Sequence, residues 1–265
     1  MRIIVVGLNE QGLQRQSIAG VDCVALTSNI QEIPIDSYDA VFICSANEAK
    51  YADAKCALQN KKHVLFDPPL WATNLAQLDE LEQLAAISNV AFYIAYSYRF
   101  VPDFIKTAQL LQKKQLGEIY HCRLSFASSS DLKHNGALLD LSPHLFNMLG
   151  YWFGPVIMQN NFSIVHKDKF GRHVIFADFT SRCTIEVEAN FFASSNIITG
   201  DIYGARDSVH VRYDDRDTMQ QDLIKSEYAY FQQLCVQGNF AADCVTDKWI
   251  YAELDRLAGE ELLLA

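Results

Sequence analysis

Asp140 and His144 stand four residues apart in the stretch NGALLDLSPHLFNMLG. Side chains four apart share one face of a helix, so a carboxylate at 140 can orient the imidazole at 144 or support its charged form. An imidazole titrates near neutrality, which suits it to giving and taking a proton. Read alone, the pair is more simply a helix-start carboxylate and a partly buried imidazole with structural duties. A second stretch, KHVLFDPPLW at residues 62–71, is an apolar run that stops at Asp67 and meets Pro68 and Pro69. A strand that ends so abruptly presents its tip to something. Proline has neither a titratable group nor a backbone donor, so acid–base work at that tip must come from another side chain.

A third stretch, VVGLNEQGLQR, follows the first apolar run and opens the first helical pattern. That is where a dinucleotide site places its glycine-rich turn, so that backbone N–H groups and a helix N-terminus face the pyrophosphate. Gly7 and Gly12 hold the first and third positions of GxGxxG. Asn9 holds the middle one, where its Cβ limits the approach of a phosphate, although asparagine tolerates left-handed backbone. The same residues also suit a plain strand-to-helix turn with no ligand. The next run ends LTSN, without the Asp or Glu that would accept hydrogen bonds from the ribose of NAD. Thr27 and Ser28 are placed to contact a 2′-phosphate instead. The expected cofactor is therefore NADP or NAD, with a tilt to NADP, even though no Arg or Lys occurs between Thr27 and Tyr38.

The elements that must position these residues follow from periodicity. RIIVVG, DCVAL, DAVFIC, HVLF and VAFYIAYS are unbroken apolar runs, as a parallel sheet covered on both faces requires. Helical patterns separate them at residues 11–19, 48–60 and 75–86, which predicts a doubly wound α/β domain over residues 1–101. The link from Thr27 to Tyr38 is interrupted by Pro34 and leaves no room for a full helix. From Gly117 onward the runs are longer and alternate: GEIYHCRLSFA, PVIMQNNFSIVH, HVIFADFT, CTIEVEANFFA, IITGDIYG and SVHVRY. These predict a large, mostly antiparallel open sheet in an α+β domain over residues 102–265, with helices at 102–114, 142–152, 220–236 and 247–263. Ile185, Val187 and Phe191 suggest an apolar sheet face that a second copy of the chain would cover, making a homo-oligomer.

A formal charge of -10 over 265 residues excludes a polyphosphate backbone as the main partner. No apolar run has the length of a membrane span. Seven cysteines are scattered without CxxC or Cys/His spacing, which predicts reduced thiols in a cytoplasmic protein and no metal site.

Three stretches together resemble the Gfo/Idh/MocA family of NAD(P)-dependent sugar and polyol oxidoreductases. They are CSANEAKYADAKCALQNKKHVLFDPPLW, YSYRFVPDF with KKQLGEIYHCRLSF, and NGALLDLSPHLFNMLGYWFG. The resemblance implies an N-terminal Rossmann domain followed by an α+β domain whose open sheet floors the substrate site, and a small-molecule substrate as the partner. It implies that Ser45, Ala46 and Asn47 lie against the cofactor in place of Thr-Pro-Asn, and that Tyr98, Arg99 and Phe100 lead out of the Rossmann domain. It makes Asp140 and His144 the Asp-x-x-x-His pair beside the carbon that exchanges hydride. It sets Asp67, Pro68 and Pro69 where relatives carry Glu-Lys-Pro, so Asp67 is expected at the cofactor while the proton-handling lysine is gone. Lys50 stands where relatives often carry His, and Lys133 and His134 precede the Asp140 segment. Two readings stay open here: an active divergent oxidoreductase, or an impaired member kept as a nucleotide-binding or assembly module.

Overall fold

The computed structural model describes residues 1–45, 49–68, 74–129, 137–154, 159–166, 172–180, 183–217, 220–237 and 244–263. Its first sheet has five strands, β1 (Ile3–Val6), β2 (Cys23–Thr27), β3 (Ala40–Ile43), β4 (His63–Phe66) and β5 (Phe92–Ile94), in the order β2-β1-β3-β4-β5. Every pair is parallel. The carboxyl ends therefore share one edge, which carries Gly7, Thr27, Cys44, Asp67 and Ala95. Strands β1 and β3 are buried along their whole length, as their unbroken apolar runs require.

Helices α1 (Glu10–Ala19), α2 (Ala49–Gln59) and α3 (Leu75–Ser88) cover this sheet. Helix α3 starts on a capping box between Asn74 and Gln77 and stops at Asn89, which is left-handed at φ 57°. Between β2 and β3 the chain forms only two short 3-10 turns, Ile30–Glu32 and Ile35–Ser37, as the length of that link and Pro34 demand.

The second sheet has six strands: β6 (Ile119–Ala127), β7 (Gln159–His166), β8 (Arg172–Thr180), β9 (Cys183–Asn190), β10 (Ile197–Gly204) and β11 (Ser208–Asp214). Their order is β11-β10-β6-β9-β8-β7, with β6 and β9 parallel and the other pairs antiparallel. Cys122, Leu124, Phe126, Ile185, Val187 and Ile202 point from it into a core. Helices α4 (Pro102–Gln112), α5 (Ala137–Asp140) and α6 (Ser142–Phe153) belong to the same unit, and Trp152 donates from Nε1 to the Phe104 carbonyl at 3.1 Å.

One expectation is corrected here. Ile185, Val187 and Phe191 are at most 2% exposed, so they fill the core of their own unit and form no open apolar face. Strand alternation turns Thr184 and Glu186 outward instead. There Arg123 pairs with Glu186 at 3.2 Å, and His210 with Asp201 at 2.7 Å.

Contacts divide the chain into residues 1–97 with 221–248, and residues 98–220 with 249–265. The sequence pattern sets helix α7 (Gln220–Gln237) in the second domain, but its apolar side packs in the first. Phe231 is fully buried there, its ring 5.7 Å from that of Phe42 and 6.5 Å from that of Tyr93. The last helix, α8, spans Cys244–Leu263. Substituting Phe231→Ala is expected to cost about 3–5 kcal/mol in urea unfolding of the first unit. A cost under about 1 kcal/mol would mean that α7 is not part of that core.

Candidate dinucleotide site at the carboxyl edge

The chain leaves β1 toward β2 on one side and returns to β3 on the other, so the crossover direction reverses between β1 and β3. In open parallel sheets, ligands bind in the crevice at the carboxyl ends of strands at such a point. Gly7 ends β1 there with φ 135° and donates its N–H to the Thr27 carbonyl at 2.8 Å. A Cβ at position 7 would lie 2.9 Å from Cys44 C and Ser45 N, and one at position 12 would lie 1.9 Å from the Gly7 carbonyl oxygen. Both glycines are thus required by close backbone approach.

Asn9 does not need the left-handed backbone that asparagine tolerates, since it is extended at φ -111°. Its side chain works as a clip: Oδ1 accepts from Gly12 N at 2.8 Å, capping α1, and Nδ2 donates to the Cys44 carbonyl at 2.8 Å. The glycine turn is therefore locked to the end of β3. Ser45 follows with its hydroxyl oxygen buried and unbonded among the described residues. A buried polar group without a partner is costly, and a ligand at the crevice would satisfy it. Asn47 and Ala46 lie outside the described residues, as do Pro69, Lys133 and His134.

At the end of β2, Thr27 is buried, and its hydroxyl accepts from Asn29 N at 3.0 Å. The same hydroxyl lies 3.1 Å from the Asn29 carbonyl and 3.2 Å from Glu32 Oε2. Ser28 is exposed. Sequence reading missed Glu32 because it searched only the strand end. The available signal was Asn29 followed three residues later by Glu, the spacing of a capping box.

Asp67 is held by partners within its own unit. Its carboxylate is 5% exposed and is taken up from below by Arg15 of α1, with Nε donating to Oδ2 at 3.0 Å and Nη2 to Oδ1. The Cys44 thiol donates to Oδ2 at 3.2 Å. Arg15 Nη1 also lies 2.7 Å from Glu227 Oε2 on α7, and the Tyr93 hydroxyl donates to Glu227 Oε1 at 3.1 Å. The signal for this cluster was an arginine on the buried stripe Gly12, Arg15, Ala19 of a helix.

Lys50 adds a second buried cation. It is 0% exposed, donates from Nζ to the Asp67 carbonyl, and sits 4.6 Å over the Phe66 ring. Burial lowers its pKa to about 8, partly offset by the Asp67 charge. An amine thus reaches the tip of β4, where Pro68 brings none.

In the second unit, His144 is half-buried among aromatic rings, 5.1 Å from Tyr98 and 5.9 Å from Phe126 by ring centroids. Tyr98 also stacks edge-on with Tyr213 at 5.3 Å, and the Arg99 guanidinium lies 5.3 Å over Phe100. Asp140 ends α5 whereas His144 lies in the first turn of α6, so the expected single helix face is replaced by two successive helices. Pro143 in the first turn of α6 lacks the N–H that would continue α5. Among the described residues, no group of three or more His, Cys, Asp or Glu could hold a metal ion, and no helix is long and apolar enough to cross a membrane.

Residues 4–96 match the family described as "Oxidoreductase family, NAD-binding Rossmann fold". The chain is 30% identical over 131 residues to an uncharacterized oxidoreductase, YdgJ, of Escherichia coli (strain K12). That alignment covers 45% of this chain and 38% of the relative. It is 24% identical over 127 residues to a myo-inositol 2-dehydrogenase of Thermotoga maritima, covering 46% and 38% of the two chains. The chain thus aligns with about two-fifths of the length of these curated relatives. Among solved structures, scyllo-inositol dehydrogenase from Lactobacillus casei with bound NAD(H) and scyllo-inositol superposes with a TM-score of 0.77. The identity is 14%, over 95% of this chain and 93% of that one, which shows a common fold.

The buried cluster yields an asymmetric expectation. Burial would raise the Asp67 carboxyl, but Arg15 outweighs it by charge and hydrogen bonds and holds it below the usual carboxylate range. Glu227 is pushed up by burial, and its contact with Arg15 does not reverse this. The Asp67 contribution is therefore present above the ordinary carboxylate pKa and lost as pH falls through its lowered value. The penalty from Glu227 is absent below the ordinary value and grows as pH rises through its raised one. Asp67→Asn should cost about 3–5 kcal/mol near neutral pH. Glu227→Gln should cost less, and should gain on the wild type as pH rises from about 4 to about 7. Equal costs in urea unfolding at every pH would contradict this division.

Proposed function

We propose that this chain, whose residues 4–96 match the family described as "Oxidoreductase family, NAD-binding Rossmann fold", exchanges hydride between a nicotinamide dinucleotide and a CH–OH carbon of a polyol-like or sugar-like substrate. The observation that carries this reading is the cradle at the β1/β3 crevice. There Gly7 and Gly12 admit no side chain and Ser45 presents a buried hydroxyl without a partner among the described residues. In this reading the turn from Gly7 to Gly12, clipped by Asn9, holds the pyrophosphate with Ser45 beside it. Thr27 and Ser28 border the adenosine ribose. Asp67 orders the strand tip through Arg15 rather than touching the dinucleotide.

The dinucleotide supplies the hydride acceptor or donor, and the protein supplies position and electrostatics. His144 takes the proton that leaves the substrate hydroxyl, or returns it in reduction, with Asp140 as its supporting carboxylate. Lys50 Nζ holds a proton at the tip of β4, with a pKa of about 8 that lies in the working range of a general acid or base. The inositols named for the similar proteins are the first substrates to try. The free thiols Cys23, Cys44, Cys56, Cys122, Cys183 and Cys235 support a reducing, cytoplasmic setting.

The test is oxidation of myo-inositol and scyllo-inositol with NAD or NADP, followed by the absorbance of the reduced nicotinamide, alongside a thermal-shift titration with the reduced dinucleotides. Binding near micromolar at large excess should stabilise the protein by about 2–4 kcal/mol. His144→Asn should lower turnover roughly 10²- to 10⁴-fold while leaving dinucleotide affinity within about twofold. Undiminished turnover would remove His144 from the chemistry, and absence of any binding would sink the oxidoreductase reading.

A further inference from the structure

We propose that Glu32 makes this site select NAD over NADP, doing from a downstream turn what a strand-end carboxylate does elsewhere. The inference rests on the dinucleotide reading above and reverses the NADP tilt suggested by the neutral end of β2. In a doubly wound sheet the adenosine ribose lies beside the end of the second strand. A carboxylate there accepts from its hydroxyls and repels a 2′-phosphate.

The segment LTSN has no such group, but the fold returns one. Asn29 is extended at φ -142°, and its Oδ1 accepts from Gln31 N at 3.0 Å, which starts the 3-10 turn Ile30–Glu32. Ile30, only 2% exposed, anchors that turn in the core. Glu32 stands at its third position, and its Oε2 comes back to within 3.2 Å of the Thr27 hydroxyl. Thr27 is itself fixed: its carbonyl receives the Gly7 N–H at 2.8 Å, and its hydroxyl receives the Asn29 N–H at 3.0 Å. The carboxylate is thus one hydrogen bond from the end of β2, on the residue that also holds the glycine turn.

Charge points the same way. Glu32 is exposed, and no cation pairs with it among the described residues. The whole link from Thr27 to Tyr38 contains Glu32 and Asp36 but no Lys or Arg. A 2′-phosphate placed here would meet a carboxylate and no cation from this link, whereas a ribose diol would find a carboxylate acceptor. The shortness of the link makes this possible. A full crossover helix would carry residue 32 along its axis and away from the strand end at about 1.5 Å per residue.

The test compares dissociation constants of NADH and NADPH, by fluorescence titration, for the wild type, Glu32→Gln and Thr27→Val. The wild type should bind NADH at least about tenfold more tightly than NADPH, a discrimination worth about 1.4 kcal/mol. Glu32→Gln, which keeps the size of the side chain, should erase most of that ratio. Thr27→Val, which frees the carboxylate from its anchor, should reduce it part of the way. A wild type that binds NADPH as tightly as NADH overturns the proposal, as does a ratio unchanged in Glu32→Gln. A purely structural turn residue would shift the melting temperature without moving the ratio, and that result also counts against it. If the wild type binds neither dinucleotide, the oxidoreductase reading falls with it.

Discussion

A single buried guanidinium shared between two carboxylates ties the first unit together at the carboxyl edge of its sheet. Arg15 extends from α1, grips Asp67 at the tip of β4 with two hydrogen bonds, and meets Glu227 on α7. All three side chains are at most 7% exposed, so none is solvated in compensation. Such a group cannot lose one partner without stranding a charge in the interior, which makes the arrangement costly to alter and specific in geometry. It joins a residue near the start of the chain to one more than two hundred positions later on α7, whose apolar side packs in the same unit. Lys50, bonded to the Asp67 carbonyl, balances the second carboxylate in formal charge.

The same constraint engages both carboxylate oxygens of Asp67 inside the unit. Both its oxygens are used, one by Arg15 alone and one by Arg15 together with the Cys44 thiol. The cradle above it depends instead on small size and backbone: two glycines that admit no Cβ, and one asparagine whose amide ties the turn to β3. An asparagine in the middle of the turn looks from sequence like an obstruction. In three dimensions it is the clip that keeps the turn shut, and its extended backbone shows that strain is not involved. At β2, likewise, the missing helix removes a wall but brings a carboxylate back to the strand end through a three-residue turn.

Much was legible in the amino-acid order because it depends on local patterns. Unbroken apolar runs specify the parallel strands, since both faces are covered, and alternating runs specify the second sheet. Pro34 marks where a full helix cannot form between the second and third strands. Gly7 and Gly12 could be named in advance because close backbone approach leaves one residue type that fits. The resemblance to the Gfo/Idh/MocA family rests on three motifs in order, and the absence of a titratable group at Pro68 is a plain fact of the sequence.

Tertiary structure alone decided which polar groups meet. Arg15, Asp67 and Glu227 are 52 and 160 positions apart in sequence, and no periodicity pairs them. The placement of α7 with the first unit, the burial of Ile185 and Val187 in their own core, and the division of Asp140 and His144 between two helices are of the same kind. Hydrophobic pattern says which face of an element turns inward, because that is set by its own repeat. It does not say which other element waits there, and long-range charge pairing, which assigns the work of each side chain at this edge, depends on that neighbour alone.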